Sequence, residues 1–439
     1  MYNKFIELIL LPIGDFLLST NLMGELKKWR KISQLSAKEI EQISIENLRK
    51  ILTDCVNQVP YYKEFSNEEN LNPVEWLKKF PIMTKEEINK ETHRLTSKPL
   101  DQLIKKESSG SSGIHTTTYM DQDSLDKCRA IQMFWWEWAG WEVGQPILQT
   151  GMTLQRSKIK QLKDFFLRTN YVSAFGLNTS DLIVVLKKYI KRKNHFLAGY
   201  ASSIYCLAKA ANLSSNIDIR FKSAVSWGDK LFPHYKKEIE TAFKCKIIDT
   251  YALSEGLMIA AQKDSIYYYI MSPHIFLELL DDNENEVPNG DIGKVVVTRL
   301  DAIGMPLIRY YTGDLAIKLP QSNYPENLEF NFPLLEIIIG RDTDIVKLEN
   351  GDRMIVHFFT AIFEKESSFK QFKIIQKNLQ GIEIQYIKSE KFNISAKKRI
   401  HDKIIKELSA PIKITWIEVT DIANTSSGKP QIIENLMKN

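Results

Sequence analysis

Between Phe221 and Tyr251 the sequence changes period three times, and no other stretch narrows the choice of fold as far. Residues 221–225 are a short apolar run suited to a buried strand, and Trp227-Gly228-Asp229 interrupts it. Residues 233–243 then carry apolar side chains at helical spacing, and residues 246–248 return to strand and lead directly into Asp249-Thr250-Tyr251. A strand–helix–strand alternation joins parallel strands and requires helices packed on the sheet. From about Ile266 the pattern becomes short β segments with turns: residues 275–280, the turn signal Pro288-Asn289-Gly290-Asp291, and residues 294–299. That pattern predicts a meander or barrel-like arrangement. After Gly340-Arg341 the composition shifts again. Residues 342–439 hold two charged amphipathic helices, near 357–365 and 394–408, between strands at 372–375, 382–387 and 412–419. This reads as a compact α+β unit of ordinary domain size.

Upstream, residues 36–66 read as helical, and the run 126–140 contains Phe134, Trp135, Trp136 and Trp138. Aromatics this dense in a helix are read as core rather than as a stacking platform for nucleic acid. The net charge of +5, from 59 basic against 54 acidic side chains, is small and spread along the chain, so no nucleic-acid partner is expected. Cys55, Cys128, Cys206 and Cys245 form no CxxC pair, which argues against structural zinc and a disulfide framework and for a reducing, cytoplasmic setting. The apolar segment 5–18 is interrupted by Glu7, Pro12 and Asp15, so it is too short and too charged for a spanning helix. It reads as a helix docked on the body, with interfacial membrane attachment as the other reading.

Five segments carry chemistry. Glu107-Ser108-Ser109-Gly110-Ser111-Ser112-Gly113 offers exposed backbone N–H groups and short hydroxyls, an anion nest of the kind a triphosphate needs. It is not a Walker loop, because Ile114-His115-Thr116-Thr117 follows it. Asp249-Thr250-Tyr251-Ala252-Leu253-Ser254-Glu255-Gly256 follows a buried strand and would face a crevice at its carboxyl end. There Tyr251 can stack on a purine, Ser254 can donate to a phosphate, and Glu255 can hold Mg²⁺, whereas the bland reading has Glu255 capping a helix start. The phrase from Arg299 to Asp314 ends in Tyr310-Tyr311-Thr312-Gly313-Asp314, where a carboxylate past a Thr-Gly turn suits the two hydroxyls of a ribose. Gly340-Arg341-Asp342-Thr343-Asp344 lies at the composition break, and Asn424-Thr425-Ser426-Ser427-Gly428-Lys429-Pro430 near the C-terminus. Each segment alone favours a structural reading: linker, cap, hairpin turn or solvated charge. Their occurrence together, in this order, does not.

The order and spacing of these segments resemble the adenylate-forming superfamily of acyl-CoA synthetases, peptide-synthetase adenylation domains and luciferases. More closely, they resemble its phenylacetate–CoA ligase-like branch, including capsular-polysaccharide-associated members. Val59-Pro60-Tyr61-Tyr62, Leu197-Ala198-Gly199-Tyr200-Ala201-Ser202 and Met305-Pro306-Leu307-Ile308-Arg309-Tyr310 are similar to phrases of that branch. The resemblance implies an α/β fold: a large N-terminal domain of doubly wound sheets plus a β-barrel-like subdomain over residues 1–340, a hinge at 341–344, and a small mobile α+β C-terminal domain over residues 345–439. It implies ATP, bound by Ser108, Ser109, Gly110, Ser111, Ser112 and Gly113 at the phosphates, by Gly228, Asp229 and Tyr251 at the adenine, and by Asp314 and Arg341 at the ribose. It implies Mg²⁺ at Glu255, a hinge at Asp342, Thr343 and Asp344, and Lys429 bridging the substrate carboxylate and the α-phosphate. The sequence departs from the family at Thr116, where a loop lysine is usual, and at Ala252, which replaces a glycine.

By position, a small carboxylic acid would meet Gln149, Thr150, Gly151, Gly199, Tyr200, Ser202 and Ala252. The implied reaction is acyl-adenylate formation with release of pyrophosphate, then transfer to a thiol of coenzyme A or of phosphopantetheine on an acyl carrier protein. Other readings are an amide on a sugar or other amine in surface-polysaccharide or natural-product biosynthesis, a non-catalytic nucleotide-binding relative, and a phosphotransferase releasing ADP. The sequence leaves the oligomeric state open.

Overall fold

A computed structural model describes residues 2–107, 116–151, 158–173, 179–189, 195–214, 218–341, 344–350, 353–363, 366–408, 410–423 and 431–437. The expected phosphate-loop residues Ser108, Ser109, Gly110, Ser111, Ser112 and Gly113, the expected hinge residues Asp342 and Thr343, and Lys429 lie outside the described residues.

One sheet of 11 strands organises the chain up to Arg341. Its first half is parallel, in the spatial order Thr169–Ser173, Ile147–Gly151, Phe196–Tyr200, Ala224–Trp227 and Ile247–Leu253. Ile247–Leu253 is the pivot, because its other edge pairs antiparallel with Leu257–Gln262. Beyond it the sheet continues antiparallel through Tyr268–Ile270, Leu334–Arg341, Tyr310–Lys318, Ile292–Arg299 and Ile275–Leu280. The turn-rich segments therefore form the antiparallel half of one continuous sheet. Among the described residues no pairing closes them into a barrel; irregular register near Lys294, Leu315 and Ile317 bends the strands instead.

The helices cover this sheet for local reasons. Pro233–Phe243 starts on a proline, which suits the first turn, and buries Ile239 and Phe243 with Ile204, Leu207 and Ala208 of Ala201–Leu213. Ala37–Gln58 begins at a capping box in which Ser36 and Glu39 satisfy each other's backbone N–H groups. Gln122–Trp138, capped by Asp121, buries Ile131, Phe134, Trp135 and Trp138, in line with the core reading of its aromatics. Trp136 is the exception: it is half-buried, and its ring stacks on Trp227 at 6.1 Å between centroids.

The C-terminal part builds a separate four-stranded sheet, in the order Lys413–Glu418, Gly381–Lys388, Phe369–Asn378 and Ile433–Asn435. Val356–Phe363 and Ile394–Glu407 pack on it through Phe359, Ile400 and Ile404, and Phe232 from the large sheet's side joins that core. Among the described residues no helix is long and apolar enough to cross a membrane.

Candidate active site

The pivot of the sheet creates the site. Where a parallel half meets an antiparallel half, the carboxyl ends of the parallel strands are left open beside the first antiparallel turn. That turn is Ser254-Glu255-Gly256, between Ile247–Leu253 and Leu257–Gln262. Glu255 thus sits on a β-turn, not at a helix start. Gly256 allows the turn with φ +83°, a conformation that strains any other residue, and a Cβ there would push on the Met120 side chain, 2.2 Å away.

A cavity of about 660 Å³ opens at this turn. Ser254, Glu255 and Ala252 line it, as do Tyr200, Trp227, Gly228 and Arg341. Segments more than 100 residues apart in sequence therefore meet at one place. Gly228 has φ +77°, and a Cβ there would lie 2.5 Å from the Tyr200 ring, so Trp227-Gly228 can follow the wall only without a side chain at that point.

The acidic groups are held firmly. Glu255 is buried; its Oε1 accepts from the Tyr310 hydroxyl at 3.2 Å and its Oε2 from Ser254 Oγ at 3.1 Å. Asp314 and Arg341 face each other across neighbouring strands in register. Arg341 Nε lies 3.1 Å from Asp314 Oδ1, and Arg341 Nη1 donates to the Thr312 carbonyl at 2.7 Å. The Tyr251 hydroxyl takes the other carboxylate oxygen at 2.7 Å. Tyr251 is itself buried, and burial beside Asp314 pushes its pKa well above the usual tyrosine value, so it remains a proton donor. Asp229 accepts from the Ser202 backbone N–H at 3.2 Å, capping the first turn of Ala201–Leu213, and does not line the cavity.

The expected substrate residues divide. Tyr200 and Ala252 line the cavity, whereas Gln149, Thr150, Gly151, Gly199 and Ser202 do not. Thr150 supports Tyr200 from behind: its Oγ1 accepts from the Tyr200 backbone N–H at 3.2 Å and lies 2.6 Å from Ser203 Oγ. Gly199 leaves room for this contact, since a Cβ there would lie 1.7 Å from Thr150 Oγ1. Asp344, the one expected hinge residue among the described residues, accepts from Gln431 Nε2 at 3.3 Å.

Sequence reasoning missed several lining residues. Leu125, Cys128, Arg129, Gln132 and Trp136 reach the cavity from one face of Gln122–Trp138, at helical spacing. Lys85, first residue of Lys85–Glu91, lines it from the opposite direction. Burial lowers the Lys85 pKa, Arg341 adds to the lowering, and Glu255 and Asp314 oppose it. Lys106 lines it too, on Ile104–Glu107, which pairs antiparallel with Thr117–Met120. No local signal marks Lys85, since a lysine opening a short helix ordinarily faces solvent. Much of the phrase 299–314 proves to be scaffold. Arg299 and His274 both hold Asp301, at 2.9 and 2.6 Å, and Arg309 pairs with Glu278 at 3.1 Å, all buried or nearly so.

The donor set suits Mg²⁺ shared with phosphate. Among the described residues no group of three or more His, Cys, Asp or Glu side chains is placed to hold a metal. Glu255 presents a hard carboxylate at the cavity wall, and Mg²⁺ commonly takes one or two carboxylates, with phosphate oxygens and water completing its shell.

Residues 348–436 match the family described as the CapK C-terminal domain. Over 400 residues the chain is 26% identical to the protein CapK of Staphylococcus aureus, covering 86% of this chain and 85% of that one. It is 27% identical over 210 residues to the phenylacetate-coenzyme A ligase of Pseudomonas putida, covering 45% of this chain and 44% of the other. Among solved structures, 2-hydroxyisobutyryl-CoA ligase in the postadenylation state superposes with a TM-score of 0.72, over 92% of this chain and 91% of that one, at 17% identity. At that identity the likeness establishes the fold.

Proposed function

Because the chain belongs to the adenylate-forming superfamily, in its phenylacetate–CoA ligase-like branch, we propose that it activates a small carboxylic acid with ATP and passes the acyl group to a thiol. The observation that carries this reading is the convergence of Ser254-Glu255, Trp227-Gly228 and Arg341 on one cavity, with Asp314 held behind Arg341. A substrate carboxylate oxygen attacks the α-phosphorus of ATP, the bond from that phosphorus to the β-phosphate bridging oxygen breaks, and pyrophosphate leaves. No protein nucleophile is required, so the chain's task is to position the reactants and offset charge.

Each residue has a role in that task. Ser108 to Gly113 cradle the β- and γ-phosphates through backbone N–H groups and hydroxyls. Glu255 holds Mg²⁺, which supplies charge neutralisation at the phosphates when bound. Asp314 and Arg341 take the ribose, with the Tyr251 hydroxyl yielding its place on the Asp314 carboxylate. Lys85 and Lys106 supply the positive charge that the loop lacks at Thr116. The acid lies between Ala252, Tyr200 and the Trp136–Trp227 pair, a wall suited to an aryl or short acyl body. Residues 345–439 then rotate about the hinge at 341–344, withdrawing Lys429 and admitting the acceptor. Coenzyme A or a carrier-protein phosphopantetheine is the thiol, whose sulfur bonds to the acyl carbon as the acyl–phosphate bond breaks and AMP leaves, with an amine of a sugar as the second reading for the acceptor.

The test is Lys429→Ala. It is expected to abolish carboxylate-dependent pyrophosphate release while leaving ATP binding intact. Undiminished pyrophosphate release would overturn the assignment.

A further inference from the structure

The chain from Tyr2 to Leu18 forms one helical rod, α-helical at both ends with a π turn at Ile6–Leu10. One face is docked. Ile6 is fully buried, Leu10 and Leu11 pack on the core, and Asn3 Nδ2 donates to Glu142 at 3.2 Å. Glu7 pairs with Arg30 at 2.7 Å, and Asp15 accepts from the Met23 backbone N–H at 2.8 Å. Both acids of the rod are therefore turned to the body. The other face is apolar and open: Phe5, Leu8, Ile9 and Ile13 are exposed, Phe16 is 85% exposed and Leu17 72%. The π turn inserts one extra residue, which brings Phe5, Leu8 and Ile9 into line with Ile13, Phe16 and Leu17.

A second element extends this face. The Tyr2 hydroxyl donates to the Phe166 carbonyl at 2.8 Å, and the Arg168 guanidinium lies 4.9 Å over the Tyr2 ring. This seats the helix Lys158–Phe166 against the start of the rod. That helix exposes Leu162 and Phe165, the latter at 75%, and carries Lys158, Lys160 and Lys163 against the one acid Asp164. The two helices together present large apolar side chains with Lys4, Lys158 and Arg168 exposed among them.

We propose that these two helices seat the protein on an anionic lipid surface, the apolar side chains entering the headgroup boundary and the basic ones meeting lipid phosphates. An apolar helix face with basic neighbours and its acids turned inward has the composition of an interfacial helix. At 17 residues, with Glu7 and Asp15 spent on docking, the rod lies along such a surface rather than crossing it. Charge selects the occupant. A second copy packed face to face would set the same lysines opposite one another, whereas an anionic bilayer complements them. The proposal stands apart from the chemistry at the cavity.

The test is sedimentation of the full chain with vesicles of phosphatidylcholine alone and of phosphatidylcholine mixed with phosphatidylglycerol. Binding to the mixed vesicles that weakens with salt is expected. The variant Phe16→Ser with Leu17→Ser should bind at least about tenfold more weakly, with an unchanged unfolding curve and unchanged nucleotide turnover in solution. Lys158→Glu should weaken binding roughly fivefold. Equal binding to both vesicle types, or no binding by the folded wild-type chain, would overturn the proposal. So would a solution dimer that the serine variant abolishes without vesicles binding either protein.

Discussion

Replacing Tyr310 with phenylalanine isolates a single hydrogen bond at the heart of the site. Tyr310 is fully buried within the core, so the phenyl ring keeps its packing and only the hydroxyl is lost. That hydroxyl donates to Glu255 Oε1 at 3.2 Å, and burial together with the neighbouring carboxylate holds it protonated far above the usual tyrosine range. A hydrogen bond to a charged group contributes about 1.5–3 kcal/mol, and 3.2 Å is at the long end, so about 1.5 kcal/mol is the expected loss. Glu255 keeps Ser254 on its other oxygen at 3.1 Å, so the carboxylate stays in place but turns more freely. If Glu255 holds Mg²⁺, a loss of that size lowers kcat/KM for carboxylate-dependent pyrophosphate release roughly tenfold at limiting Mg²⁺. The deficit should shrink as Mg²⁺ is raised. The assay is pyrophosphate release titrated with Mg²⁺ for both proteins, with urea unfolding to confirm that Tyr310→Phe is folded. A folded variant with the wild-type Mg²⁺ dependence would refute the link between Tyr310, Glu255 and the metal.

Three further outcomes are expected. Arg309→Met leaves Glu278 buried without its cation and should cost about 3–5 kcal/mol in urea unfolding, with much of the loss recovered by adding Glu278→Met. Lys85→Met should raise the KM for ATP roughly tenfold, as expected for loss of one charge-assisted contact, with thermal stability little changed. Burial raises the Asp249 carboxyl from 3.8 to about 6, against hydrogen bonds from Ser226 and Tyr268 that pull the other way. Its folded state thus holds the proton more tightly than the unfolded chain, which contributes stability below the unfolded value that is lost as pH rises through about 6. Between about pH 5 and pH 7.5 this removes on the order of 1.5 kcal/mol from the wild type, so Asp249→Asn should show a flatter unfolding profile over that window.

Local periodicity made several elements readable. Residues 233–243 and 275–280 have the same bounds in sequence and structure, because Pro233 and the short apolar run Ile275–Leu280 are signals contained in the segment itself. Long-range pairing was less legible. The turn-rich strands suggested a barrel, but closure depends on whether Ile275–Leu280 finds a partner on its outer edge, which no local pattern encodes. The motif residues Glu255, Gly228, Arg341 and Asp314 do come together: Glu255 lies on the turn that leaves the pivot strand, Gly228 just past the strand beside it, and Asp314, paired with Arg341, reaches the pivot through the Tyr251 hydroxyl. Arg299, Asp301 and Arg309, in the same long phrase as Asp314, are instead buried ion-pair partners that hold the strands. Trp136 illustrates the reverse error: it lies among core aromatics in the sequence, yet it is only half-buried and, like its buried neighbour Trp135, lines the cavity.

The central claim is that ATP is cleaved between its α- and β-phosphates by a carboxylate. Its most direct measurement is the identity of the nucleotide product when the purified chain is offered ATP, Mg²⁺ and a panel of small carboxylic acids. Pyrophosphate and an equal amount of adenylate, as acyl-AMP or the AMP it releases, formed only with particular acids, are the predicted result. ADP and inorganic phosphate, or AMP formed at the same rate with no acid present, would contradict it.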